Sequence, residues 1–305
     1  MYNKIINLSI NYLAFYWSFP ELVASKFGYY EDEGLDVVIH DVTPKIKIEN
    51  KSDMYVSLQN KKLSEIFHAA EYVSIDRVIQ NSNSRIVAFS PWNLDALNGS
   101  FGIFVRNDSG ITRPADLTNK EIAVEAGTGS YYTTIDDLEK YINVKNLKFK
   151  KLGDPHERLI SLINNEVSAC SLLGIYSEMA LHLGLRKLIN STRRRGTLMV
   201  AAKDLPLGHI RSFVTATNRA IVYINENSDT LTSHYCSYIE PILSKFPEQT
   251  QNKLNTFVAN VKIPKWDLWQ TYPVNEFDDI CNWLKNRNLL EKTKTYEELV
   301  NQSVF

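Results

Sequence analysis

The 305-residue chain has little of what marks several large protein classes. It holds only three cysteines, Cys170, Cys236 and Cys281, far apart and odd in number. With no CxxC and no Cys/His ligand spacing, the sequence argues against a disulfide framework and a structural zinc site, and no metal is expected. No run of about 20 apolar residues occurs, so no membrane insertion is expected. Charge of one sign is also missing: 34 Lys and Arg oppose 35 Asp and Glu, a net charge of −1. A protein whose whole surface grips nucleic acid or anionic lipid would not be so balanced. There is no P-loop, no HExxH and no GxSxG, so nucleotide-phosphate, zinc-protease and serine-hydrolase chemistry lack support. Internal repeats and low-complexity linkers are absent.

What remains is ordinary globular composition, 44% hydrophobic and 23% charged, of a length that suits one large domain or two lobes. The opening Lys4–Ile10 run is broken by Asn7 and Ser9, too short and polar for a signal-peptide core. The expectation is a cytoplasmic protein, with a trimmed leader as the alternative.

Short β-like runs alternate with amphipathic helical ones. Residues 4–10, 36–41, 85–90, 101–106, 121–125, 147–151 and 167–173 read as strands. Residues 18–27, 71–81, 130–142, 156–165 and 177–183 read as helices. That alternation means an α/β fold with mostly parallel sheets. After a strand at 212–217, the segments 229–244, 250–258 and 276–286 read as helices, a helical C-terminal region on a sheet built earlier. Ser18-Phe19-Pro20-Glu21 has the spacing of a capping box. Ser130 and Ser177 read as caps of later helices.

Gly127-Thr128-Gly129-Ser130-Tyr131-Tyr132 follows a strand and opens a helix. A dinucleotide fingerprint needs a third glycine where Tyr132 sits, so that reading is rejected. What survives is an anion-friendly nest of Thr128, Gly129, Ser130 and Tyr131, or else an ordinary cap. His68, Glu71 and Tyr72 fall where a short strand gives way to a helix. There a carboxylate beside an imidazole can orient it as a base; the alternative is a capping or solvent-facing trio. Tyr16 and Trp17 on the loop after the first strand, and Trp92 at another strand end, can stack on a flat ligand or pack as a lid. His209 and Arg211, in a loop before the strand at 212–217, are further candidate ligand-binding residues. The run Arg193-Arg194-Arg195 reads as a solvated turn. All three cysteines read as core residues.

Four stretches then fit one family. Phe27-Gly28-Tyr29-Tyr30 through Gly34-Leu35-Asp36-Val37 resembles the "GyF…eGLdV" signature of type II periplasmic-binding-fold proteins. Pro114-Ala115-Asp116-Leu117 through Lys120-Glu121-Ile122-Ala123-Val124 resembles their "adLkGkkIav" segment, with Asn119 in place of glycine. Leu162 through Ala169 resembles a third step, in which Asn165 and Ser168 replace the usual residues. The tail, 277–286 and then Tyr296-Glu297-Glu298-Leu299-Val300, resembles the family's closing helix. The likeness is strongest to the sulfonate/nitrate/taurine-type solute-binding proteins and the related thiamine-pyrimidine synthase-like branch.

The resemblance implies two α/β lobes, 1–90 with 198–305 and 91–197, hinged near 90–92 and 198–202, with a ligand cleft between them. It places Tyr16, Trp17, Ser18, the His68–Tyr72 segment, Thr128–Tyr131, Gly174 and Tyr176 at ligand-facing positions. The synthase branch implies pyridoxal phosphate, but His68 and Tyr72 stand where its lysine and histidine belong, and its cysteine-rich iron motif is missing. The related sulfinate desulfinases carry a nucleophilic cysteine on the first loop, where this chain has Trp17 and Ser18.

Two functions follow as expectations. The first is a cytosolic enzyme on this fold, with His68 and Glu71 as the catalytic pair, acting on a small aromatic, heterocyclic or anionic metabolite. The alternative is a substrate-binding protein of an ABC-type importer for a sulfonate-like or pyrimidine-like solute, or a ligand sensor derived from one. The expected partner is a small molecule, not nucleic acid, and a homodimer is left open.

Overall fold

Strand β1 (Lys4–Ile10) runs parallel to β2 (Leu35–Asp41) along all seven residues, from Lys4 opposite Leu35 to Ile10 opposite Asp41. The chain between them forms α1 (Phe19–Lys26) and α2 (Tyr29–Asp32). Gly28 and Gly34 close these two helices at φ +75° and +74°, a conformation in which a side chain is strained. They are the two glycines of the first family-like signature. The computed structural model describes residues 4–43, 64–80, 83–91, 101–191, 196–290 and 292–305. Trp92 and residues 193–195 lie outside the described residues.

The chain divides into two compact units, Met1–Trp92 with Arg195–Glu226 and Trp266–Phe305, and Asn93–Arg194 with Asn227–Lys265. The first holds a five-stranded sheet in the order β2-β1-β3-β10-β4, with β3 Ile66–Ala70, β4 Ser84–Pro91 and β10 Gly196–Ala202. The second holds β7-β6-β8-β5-β9, with β5 Gly102–Val105, β6 Glu121–Val124, β7 Lys148–Lys151, β8 Ala169–Leu172 and β9 Arg186–Asn190.

Both sheets are mixed, with most strands running one way and one strand reversed. In the first, β10 runs antiparallel to β3 and to β4; in the second, β5 runs antiparallel to β8 and to β9. Each sheet is thus a parallel core with one reversed strand, and the two reversed strands supply pairing that a run of βαβ units does not. The two segments expected to form the hinge are neighbours within the first sheet, where Thr197 lies opposite Ser90 and Leu198 opposite Phe89.

The strand expected at 212–217 does not exist. Those residues lie inside α7 (Leu207–Glu226), which follows α3 (Glu71–Gln80), α4 (Gly129–Leu138), α5 (Pro155–Ile163) and α6 (Ile175–His182). Ile210, Phe213, Val214, Thr217, Ala220, Ile221 and Ile224 are buried along α7. Their three- and four-residue spacing is a helical stripe, which outweighs the β-branched Val214, Thr215 and Thr217. The phenol of Tyr30 meets Thr217 Oγ1 at 3.0 Å, and its ring stacks on Phe213.

The C-terminal helices do not all join the first unit. The second unit takes α8 (Ser228–Leu243) and α9 (Glu248–Val258). On α9, Leu254 and Phe257 are buried, and His182 at the end of α6 reaches the Lys253 carbonyl and Thr256 Oγ1 at 3.0 and 3.1 Å. The last helices, α10 (Val274–Lys285) and α11 (Tyr296–Leu299), stay with the first unit, where Val300 bridges to Ile86 of β4.

Candidate functional site

In the first unit, Leu8 of β1 pairs with Ile66 of β3, so His68 stands level with the carboxyl end of β1. After β1 the chain makes a short 3-10 helix, Tyr12–Trp17, where a loop was expected, with Asn11 Oδ1 accepting the Leu13 amide at 3.0 Å. It then enters α1 at Ser18, whose hydroxyl makes no capping bond, so the capping box is not formed. Every residue from Phe19 to Ala24 is buried, which leaves Glu21 no solvent face to turn to.

The Glu21 carboxyl is fully buried, with Oε1 at 3.6 Å from His68 Nε2, whose side chain is 3% exposed. That separation is too long for a hydrogen bond. Among the described residues neither carboxyl oxygen and neither imidazole nitrogen makes a hydrogen bond of good geometry, the Trp269 indole standing near the carboxyl in a looser arrangement. Burial therefore decides both ionisations. It pushes the Glu21 carboxyl up to about 8, outweighing its own amide and the Trp269 indole, which pull the other way. It pushes the His68 imidazole down to about 3. At neutral pH the pair is an uncharged acid beside an uncharged base.

The indole of Trp269 stands against His68 with ring centroids 4.9 Å apart. Trp269 lies between regular elements, so its position needs another support. Asn218 of α7 supplies it by donating to the Trp269 carbonyl at 3.1 Å and accepting the Trp269 amide at 2.8 Å. About two helical turns later, Asn225 does the same for Trp266, at 2.8 and 3.1 Å. The Trp266 ring in turn lies 5.7 Å from that of Phe19.

The expected partnership of His68 with Glu71 is replaced by that of His68 with Glu21. Glu71 Oε2 accepts the amide of Gly196 at 2.8 Å. A Cβ at Gly196 would overlap the Phe89 ring and come within 2.7 Å of the Ser90 carbonyl, so glycine keeps that amide within reach. Tyr72 is buried with its ring 4.8 Å from Trp283 of α10, on a helix–helix contact. Tyr16 is buried and Trp17 half-buried, their rings 6.2 Å apart. His209 and Arg211 lie on α7. Arg211 donates twice to the Ser303 carbonyl, at 3.0 and 2.6 Å, which ties down the C-terminus.

In the second unit, the Thr128 hydroxyl donates to the Glu125 carbonyl at 2.9 Å, and Ser130 Oγ accepts the Glu125 amide at the same distance. Both hydroxyls thus close the turn after β6. The cap of α4 is Thr128 and that of α6 is Gly174, in place of Ser130 and Ser177. Tyr131 packs on Phe149 with centroids 5.1 Å apart, against the unit's apolar core. Gly174 adopts φ 57°, ψ −141°, and Tyr176 is fully buried. Sequence reasoning missed the charge at this sheet edge. Arg158, 2% exposed, donates to the carbonyls of Ser171 and Gly153 at 3.0 and 2.8 Å and lies 3.9 Å from Glu125 Oε2. A lone arginine on an amphipathic helix gives no signal of such burial.

Among the described residues no cluster of three metal-ligating side chains exists, and no helix is long and apolar enough to cross a membrane. A pyridoxal group needs a lysine amine for its imine, and the groups standing against His68 are a carboxyl and an indole, so these residues do not fit it.

No family model matches the sequence, and no curated protein matches it. Solved structures do. The alkanesulfonate-binding protein SsuA from Xanthomonas axonopodis pv. citri, bound to MOPS, is 13% identical with a TM-score of 0.71, over 99% of this chain and 98% of that one. The periplasmic aliphatic sulphonate binding protein SsuA from Escherichia coli is 13% identical with a TM-score of 0.68, over 99% and 92%. The desulfurization enzyme DSZB is 14% identical with a TM-score of 0.59, over 99% and 97%. At such identities it is architecture that is shared, and the chain has the two-lobed α/β fold of type II periplasmic-binding proteins.

Proposed function

We propose that this chain is a small-molecule-binding protein of the solute-receptor kind, with Glu21, His68 and Trp269 as the recognition set in its first unit. The observation that carries the reading is the Glu21–His68 pair, an acid and a base buried together 3.6 Å apart, with no hydrogen bond of good geometry to another group among the described residues. Buried groups of that kind are uncommon outside sites that serve a ligand or a reaction. The structural neighbours that bind sulfonates favour a receptor. The enzyme reading draws on DSZB alone and loses the His68–Glu71 pair on which it was built.

The test is native mass spectrometry of the protein purified from its own host, followed by identification of what it releases. A small molecule released unchanged after long incubation supports a receptor. A molecule converted during incubation overturns it in favour of an enzyme. An importer's receptor works outside the cytoplasmic membrane and a sensor within it, and fractionation of host cells separates the two.

A further inference from the structure

The geometry points to a planar cation, an aromatic or heteroaromatic amine or amidine, as the ligand of the first unit, with Glu21 as its counter-ion and Trp269 against its ring. This rests on the reading of Glu21, His68 and Trp269 as the recognition set, and it departs from the sulfonates of the structural neighbours.

Three observations lead there. Among the described residues no lysine or arginine pairs with the buried acid, whose neighbour at 3.6 Å is the imidazole of His68. The unit's buried guanidinium, Arg77, lies 5.9 Å over the ring of Phe67, the residue before His68, whose side chain leaves the opposite face of β3. The neighbouring surfaces are indole and phenyl faces, Trp269, Trp266 and Phe19, whose negative quadrupoles attract cations and repel anions.

The ionisations lean the same way. A cation paired with Glu21 asks the carboxyl to lose a proton, and an anion paired with a charged His68 asks the imidazole to gain one; burial opposes both, having raised the carboxyl and lowered the imidazole. The two modes also differ in sign, since a cation releases protons on binding and an anion takes them up.

The experiment is calorimetric titration at pH 7 of the full chain with benzamidine and with benzenesulfonate, one ring carrying opposite charges, in two buffers of different ionisation enthalpy. We expect saturable benzamidine binding with release of a large fraction of one proton. Glu21→Gln, isosteric with the protonated acid, should weaken it by at least about tenfold and abolish the release, and Arg211→Ala should leave it unchanged. Benzenesulfonate binding with proton uptake overturns the inference, as does benzamidine binding that is untouched in Glu21→Gln. Failure of benzamidine at millimolar concentration overturns it too. None of these outcomes touches the receptor reading if host-purified protein still releases an unaltered small molecule.

Discussion

Asn218 holds Trp269 by both of its backbone groups, amide and carbonyl, from a helix fifty residues earlier in the chain. The indole beside His68 is therefore placed by α7 and not by its own irregular segment. Asn218→Ala removes donor and acceptor together and should cost about 1–3 kcal/mol, because two backbone groups lose their partners. Asn218→Asp keeps the acceptor for the Trp269 amide and should fall between parent and alanine variant. Chemical denaturation with tryptophan fluorescence as the probe reads both, and an unchanged midpoint in Asn218→Ala would sink this account.

The buried pair predicts a flat-topped pH profile of stability. The raised Glu21 carboxyl stabilises the native state fully below its ordinary value of 4.5, and that contribution is lost as pH rises toward about 8. The depressed His68 imidazole contributes fully above 6.5, and that is lost as pH falls toward about 3. Between 4.5 and 6.5 the two proton changes cancel. Outside that window stability should fall by about 1.4 kcal/mol per pH unit from this pair, on the alkaline side through Glu21 and on the acid side through His68. Urea titrations across pH should show the alkaline limb flattened in Glu21→Gln alone.

Arg158→Met should destabilise the protein by about 3–5 kcal/mol, since it strips donors from the Ser171 and Gly153 carbonyls and the counter-ion from Glu125. Lysine at this position should recover little, because one ammonium cannot reproduce a planar fork serving two carbonyls. Adding Glu125→Gln to Arg158→Met should restore part of the loss, and the double-mutant cycle measures how much.

Asn119 and Asn165 stand at φ +59° and +60°, and Asn119 is the residue that the resemblance sets in place of a glycine. The substitution is conformationally mild, because asparagine tolerates the left-handed region better than other side chains. Asn119→Ala and Asn165→Ala should each cost about 1 kcal/mol, and the glycine variants should equal or exceed the parent in thermal midpoint.

The thiols should be quiet. Burial pushes Cys170 and Cys281 up to about 12, and it raises Cys236 as well. A thiol-labelling reagent at mild alkaline pH should modify the native protein slowly, beginning with the half-buried Cys236 or Cys281, and all three sites rapidly in denaturant. Rapid labelling of native Cys170 would contradict its place inside β8.

Much of the architecture was legible because local signals agreed with it. The strands before residue 173 have alternating or continuous apolar runs, and the glycines at 28 and 34 fall where helices end. The site was less legible, since its parts meet only through tertiary contacts. Ser18 and Glu21 carry a capping-box spacing, yet the carboxyl turned inward because α1 is enclosed on all sides. Nothing near His68 in sequence announces Trp269. Residues 212–217 read as a strand over six residues and as a helix only over twenty. The short strand β9, Arg186-Lys187-Leu188-Ile189-Asn190, went unread because its charged half resembles a turn.

The position of β10 bears on how the chain is made. Strand β4 joins its sheet through β10, and β3 gains its antiparallel neighbour there as well, yet β10 begins at Gly196. At about 5–20 residues per second, a ribosome needs on the order of ten seconds to travel from the end of β4 to the end of β10. The second unit's five strands, all between Gly102 and Asn190, emerge during that interval. Strands β3 and β4 are thus the last of the first sheet's early strands to be fully paired, and for those seconds a nascent-chain chaperone has an open sheet edge to guard.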